Sequence, residues 1–243
     1  MSSYTLAREE LFALLQEVGG SSIQGMADGF LTPLAEGEQV TTDSVFNAEA
    51  LALAQLLARP HRVVHAIRFD PNDVVQESVW FYIAGDRFAS LTAVADNYLL
   101  SAVDSLEALF FQAGAVLPLR SGADMLPARV VLDREDFVDV RYLLRNWHEV
   151  SGEMVLEAAG LKKFEAVDLA HSMQSEEWHG RLVFKFYKND QLVSKRELRG
   201  LQSSDTCWLG YLDPETGKMV VQTATNETMD TVTLRIWEAL AES

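Results

Sequence analysis

Residues Trp178–Ala241 read WHGRLVFKFYKNDQLVSKRELRGLQSSDTCWLGYLDPETGKMVVQTATNETMDTVTLRIWEALA, and this stretch decides the fold. Two apolar runs, Cys207–Leu212 and Met219–Thr223, flank Asp213-Pro-Glu-Thr-Gly-Lys218. Pro214 fixes φ and Gly217 admits φ > 0, so the chain should reverse here as a hairpin. Upstream, Arg181–Tyr187 and Gln191–Arg199 bracket Lys188-Asn-Asp190, a second tight turn. Downstream, Asp230 or Thr231 is expected to cap a helix with Leu234, Trp237 and Leu240 on one face. The stretch predicts a four-strand antiparallel meander closed by a helix.

The first half repeats this order. Alternation predicts strands over Arg62–Phe69, Val74–Ala84, Arg87–Val94 and Tyr98–Ser101, separated by Asp70-Pro-Asn-Asp73, Gly85-Asp86 and Asp96-Asn97. Val103, Leu106, Leu109 and Phe110 then give a helical stripe over Ala102–Ala113. Two helices precede the strands. One starts at Thr5, carries Leu6, Leu11, Leu14 and Leu15, and stops at Gly19-Gly20; the other is capped by Asp43 or Ser44 and ends at Arg59-Pro60. Between them Ser21–Thr42 reads as loop. Gly114–Leu132 reads as a connector broken by Pro118, Ser121-Gly122 and Pro127. Asp133 should cap a helix whose inward stripe is Phe137, Val140, Leu143, Leu144 and Trp147, followed by helical segments near 152–159 and 164–173.

Arg62–Gln112 thus matches Arg181–Leu240 in order and kind of element, with weak residue identity. A lone four-strand sheet with one helix leaves apolar surface bare, and two such units can cover each other. The expected fold is α+β: a pseudo-two-fold duplicated antiparallel sheet, two four-strand meanders, flanked by helices. Residues 1–243 form a single domain of halves near 1–118 and 119–243.

Composition narrows the function classes. Lys plus Arg is 20 against 36 Asp plus Glu, a net charge of −16. Such a surface repels polyphosphate and anionic lipid, so neither nucleic acid nor membrane is an expected partner. The single cysteine, Cys207, permits no internal disulfide. The start lacks an apolar signal core, and every long apolar window carries charge, so a cytoplasmic protein is expected.

No familiar catalytic signature occurs: GxGxxG, P-loop and GxSxG are all missing. His61 and His65 have helical metal-ligand spacing but fall at a strand, which separates their rings. His148, His171 and His179 have no partner at a fixed spacing, and Cys207 reads as a small buried side chain. Asp133, Asp136 and Asp139 have helical i, i+3, i+6 spacing, and the first two fit helix capping and dipole pairing. No catalytic residue, metal or cofactor is expected. The strand aromatics Trp80, Phe81, Tyr82, Phe184, Phe186, Tyr187 and Trp208 alternate, with Trp80 and Tyr82 opposite Phe81. One set must be core. The other either forms an apolar partner patch or lies under helices.

A helix over Leu6–Leu15, a second ending in Leu57-Ala-Arg59-Pro60, and the strand His61–Phe69 resemble the start of the type VII (ESX) secretion-specific chaperones, the EspG family. Tyr211-Leu-Asp-Pro-Glu-Thr-Gly-Lys-Met-Val-Val221, with Thr231-Val-Thr233 and the last helix, is similar to that family's closing hairpin and helix. Gly114–Leu132 and Ser151–Ser175 depart from the pattern. The resemblance implies a quasi-two-fold, non-enzymatic cytosolic chaperone that covers apolar surface on a helical secreted client. Loops at strand ends on a rigid sheet are the expected contact points. They are Asp70, Asn72, Asp73, Val74 and Val75; Gly85, Asp86 and Arg87; and Gly200, Gln202, Ser203 and Asp205. Two alternatives stay open: a hydrolase with scattered acids around a central cleft, and a homodimeric structural module.

Overall fold

The computed structural model describes residues 2–20, 22–26, 46–117, 127–146, 148–174, 178–202 and 206–241. In chain order the first half holds β1 (Ser3–Ala7), α1 (Arg8–Glu17), α2 (Ala48–Ala58), β2 (Arg62–Phe69), β3 (Val75–Ala84), β4 (Arg87–Val94), β5 (Asn97–Val103) and α3 (Leu106–Val116). The second holds β6 (Arg129–Leu132), α4 (Arg134–Arg145), α5 (Glu149–Ala158), α6 (Lys163–Gln174), β7 (Trp178–Lys188), β8 (Gln191–Gln202), β9 (Cys207–Leu212), β10 (Met219–Thr223) and α7 (Asn226–Ala241).

The described strands form one ten-stranded sheet, ordered β1-β5-β4-β3-β2-β7-β8-β9-β10-β6. Its middle is the antiparallel pair β2 and β7, with Arg62 opposite Phe186 and Phe69 opposite His179. Outward from that pair the two halves list their strands in the same order. Each half therefore has five strands, not the four expected. The additions are the edge strands: β1 pairs with β5, and β6 with β10. Both are short. Leu6 of β1 continues into the apolar pattern of α1, so the helix expected from Thr5 begins at Arg8. β6 lies at the end of the expected connector, whose residues 118–126 are outside the described set.

Alternation along the strands builds two layers of core. On one face Val64, Phe81, Leu182, Phe184, Leu198 and Leu209 meet Leu109 and Ala113 of α3 and Val232, Ile236 and Leu240 of α7. On the other face, α1 and α2 cover the first half, setting Leu11, Leu15, Leu53 and Leu57 on Val63, Trp80, Tyr82, Leu91 and Leu100. The bundle α4–α6 covers the second half, setting Val140, Leu144, Leu156, Leu169 and Met173 on Val130, Trp208 and Val221. Each large apolar side chain buried this way contributes about 1.5–3 kcal/mol. Asp168 pins α6 to β9 by accepting from Thr206 Oγ1 (2.6 Å) and Trp208 Nε1 (3.1 Å).

Helices thus cover both sets of strand aromatics. Trp80 and Tyr82 lie under α1 and α2, while Phe81 and Phe184 lie under α3 and α7, and all four are buried. The alternative of an exposed aromatic patch is ruled out at these residues.

Several element ends move. Helix α2 is capped by Asn47, whose side chain accepts from Ala50 N–H (2.8 Å); Asp43 and Ser44 lie outside the described residues. Asp133 holds the N-cap position of α4 but makes no side-chain cap, and pairs with Lys218 at 3.2 Å. Val140 and Leu144 of the α4 stripe are buried, and Trp147 is outside the described set. Helix α7 begins at Asn226, ahead of Asp230 and Thr231, because Thr225 Oγ1 accepts from Thr228 N–H (3.1 Å). That start leaves Leu234 half-exposed and turns Val232, Ile236, Trp237 and Leu240 inward. The turn before β10 forms as expected, with Gly217 at φ +68° and Asp213 Oδ1 accepting from Glu215 and Thr216 N–H, both at 3.0 Å.

Candidate functional site

Helices α1 and α2 rest on β3, β4 and β5, while α4–α6 rest on β6, β8 and β9. Between these two blocks, on the same sheet face, runs a strip of β2, β7 and β8. A cleft of about 230 Å³ opens there. Its apolar walls include Phe69, Phe137, Met173, Leu201, Met219 and Val221, and its polar lining includes Asp73, Arg141, His179, Arg181 and Arg199. A second depression shares Phe137, Arg141, Arg199, Gly210 and Met219 with it and continues past Arg134, Lys195 and Glu197.

Strand β7 explains the charge of this strip. Leu182 and Phe184 point to α3 and α7, so Arg181, Val183 and Lys185 point the other way. On β8 the residues opposite these three are Arg199, Glu197 and Lys195. Glu197 Oε1 lies 3.0 Å from Arg199 Nε and 3.8 Å from Arg181 Nη1. Lys185 Nζ donates to the carbonyl of Gly25 (2.6 Å). Burial, then the nearby Lys195 charge, lowers the Lys185 pKa.

His65 of β2 reports the same local field. Its Nε2 shares a hydrogen bond with Ser78 Oγ (2.8 Å), and its ring stacks on Trp80 with centroids 4.4 Å apart. Its pKa falls to about 3, first through burial, then through the positive charges of Lys185 and Arg181. His65 is therefore a neutral core histidine.

The β2–β3 hairpin forms one lip of the cleft. Asp70 Oδ1 accepts from the N–H groups of Asn72 and Val74, both at 2.9 Å, and Asp73 takes a left-handed φ of +62°. Asp73 Oδ1 lies 3.0 Å from His179 Nε2, whose ring stacks on Phe69 at 4.9 Å. The Arg181 guanidinium lies 5.0 Å from the Phe69 ring centre. Val74 and Val75 are left in solvent, 54% and 38% exposed.

The expected contact residues divide into three groups. The Asp70–Val75 turn and Gly200 share one end of the sheet, and Asp73 and Gly200 line the cleft. Strand β8 runs on to Gln202, so Gly200 and Gln202 belong to a ladder and not to a loop, and Gln202 is buried. Gly85, Asp86 and Arg87 sit at the opposite end, where Ile83 pairs with Arg62. Ser203 and Asp205 lie outside the described residues. The sequence reading missed Arg141, Arg181 and Arg199. The available signal was Arg181-Leu-Val-Phe-Lys185, which sets two cations on one face of a central strand and Leu182 and Phe184 on the other.

His179 and Asp73 are the one His–carboxylate contact among the described residues of this cleft. Acyl transfer by such a pair needs a nucleophile within hydrogen-bond reach of the imidazole. The described lining holds no Ser, Thr or Cys.

No protein-family model matches the chain, and no curated protein matches it by sequence. A solved structure does match by fold: the type VII secretion system chaperone EspG5 of Mycobacterium tuberculosis, in complex with a PE25–PPE41 dimer. The TM-score is 0.72 over 95% of this chain and 94% of that chain, at 14% sequence identity. The chain has an EspG-like α+β fold, and at this identity the likeness is one of fold.

Proposed function

We propose that this chain is a non-catalytic chaperone or adaptor that holds a helical, partly apolar protein partner, as EspG5 holds the PE25–PPE41 dimer. The observation that carries this reading is the fold likeness over nearly the whole chain, with a lined cleft where the two helical blocks leave the sheet open. The Asp70–Val75 hairpin beside that cleft offers two exposed valines on a turn fixed by Asp70, the arrangement a recognition loop needs. The reading further holds that 1–118 and 119–243 are two copies of one unit in a single domain. The matching strand order supports this, as do the Asn72-Asp73 and Asn189-Asp190 turns, where Asp73, Asn189 and Asp190 all have positive φ.

Co-expression with small helical secreted proteins of the source genome tests the role. A partner should co-purify with the wild type. The double substitution Val74→Asp, Val75→Asp should reduce the yield about tenfold or more, because two carboxylates replace apolar contact. Retention at the wild-type level would remove the hairpin from the interface, and no co-purifying partner at all would count against the chaperone role.

The His179–Asp73 contact favours a second reading, a hydrolase. Asp73 is 86% exposed at its side chain, so the contact lies in water-like dielectric, where an ion pair is worth little. A His179→Ala-sensitive turnover of ester or peptide substrates would support that reading over the first.

A further inference from the structure

We propose that the cleft takes an acidic segment of its protein partner, seating apolar side chains on Phe137, Leu201 and Met219 and carboxylates against Arg141, Arg181 and Arg199. This rests on the reading of the chain as a binding protein and names the chemistry of what is bound.

The local charge of this face opposes the global charge of the chain. The chain carries −16 overall, so a surface region chosen without regard to function should be negative. Yet, among the described residues, Arg181, Lys185, Lys195 and Arg199 gather on this one strip with Arg141 of α4 beside them, facing Asp73 and Glu197. The acids of α4, Glu135, Asp136 and Asp139, line neither depression. Asp73 is engaged with His179, and one oxygen of Glu197 serves both Arg181 and Arg199. A guanidinium has five N–H donors, so one shared carboxylate leaves donor capacity facing the cleft. Arg181 Nε is buried and makes no hydrogen bond among the described residues. Lys185 and Arg181 also lie close to the buried His65 imidazole, whose pKa is lowered first by burial and then by these two charges.

The same contrast selects a peptide over a nucleic acid. A polyphosphate extends its charge well past the cleft and meets the acidic remainder of the surface within a Debye length of about 8–10 Å. A short segment with a few carboxylates confines its charge to the strip, and its apolar residues match walls that a phosphate backbone would leave unfilled.

The test uses two helical peptides of about sixteen residues with one shared Leu/Phe face, the other positions being Glu in one and Lys in its twin. Fluorescence anisotropy against the full chain reads binding. Bulk attraction by an acidic protein favours the Lys peptide, so preference for the Glu peptide is diagnostic. The expected result is tighter binding of the Glu peptide. Arg181→Glu with Arg199→Glu should weaken it about tenfold or more and shift preference to the Lys twin. Arg141→Gln, on an α4 surface position, gives a smaller loss in the same direction and guards against misfolding of the double variant. Preference of the wild type for the Lys peptide, or Glu-peptide binding unchanged in folded variants, overturns the proposal. So does a co-expressed partner retained by Arg181→Glu, Arg199→Glu but lost by Val74→Asp, Val75→Asp, an outcome that leaves the chaperone reading intact. Failure of any partner to co-purify, with Glu-peptide binding as expected, does the reverse.

Discussion

Strand β7 presents two unlike surfaces. Leu182 and Phe184 are sealed under α3 and α7, while Arg181 and Lys185, one residue along, face a strip between two helical blocks. The helix side gains stability from burial. The strip side carries half-buried charge that a helix packed fully over it would have to desolvate further, at a cost of several kcal/mol per ion. A gap between α2 and α6 is therefore what the β7 and β8 side chains permit, and the cleft is the result.

The contrast can be broken by experiment. On the sealed face, Phe184→Ala should cost about 3–5 kcal/mol of stability in a urea titration, because it opens a cavity among Val64, Leu182 and Leu198. A loss below about 1 kcal/mol would mean that this face is not packed as described.

On the strip side the test is pH. His65 is neutral in the fold down to about pH 3, whereas in the unfolded chain it binds a proton below the ordinary value of about 6.5. The unfolded state thus holds more protons between these values, and stability falls as pH drops through that window, by an order of a few kcal/mol at its lower end. His65→Gln should flatten this slope relative to wild type in matched denaturation curves. Equal slopes would show that the imidazole is not buried beside Lys185 and Arg181.

The smallest expected effect lies beneath α1 and α2. The Tyr82 hydroxyl is fully buried with no hydrogen-bond partner among the described residues, and burial, then Tyr187, raises its pKa. Tyr82→Phe should leave the melting temperature unchanged or slightly raised, since it removes an unsatisfied polar group without opening a cavity. A drop of several degrees would reveal a partner for that hydroxyl.

Much of the fold was legible in the chain. Strands β2, β4, β9 and β10 match their expected bounds to the residue, because turn chemistry at Asp70–Asp73, Gly85-Asp86 and Asp213–Lys218 marks where alternation stops. The edge strands β1 and β6 were hidden. A strand of four or five residues becomes recognisable when its partners β5 and β10 are known. The site was less legible. Asp73 and Gly200 were named as contact residues, but Arg141 of α4 and Arg199 of β8 lie 58 residues apart in sequence and meet through packing.

Periodicity and turn residues by themselves determined the α+β class and the meanders, since each is a local property of neighbouring side chains. Which strands lie at the sheet centre, which aromatics are covered and where the cations collect were decided by tertiary structure. Those outcomes depend on β2 pairing with β7 across more than a hundred residues and on two helical blocks stopping short of each other, and no local pattern encodes either.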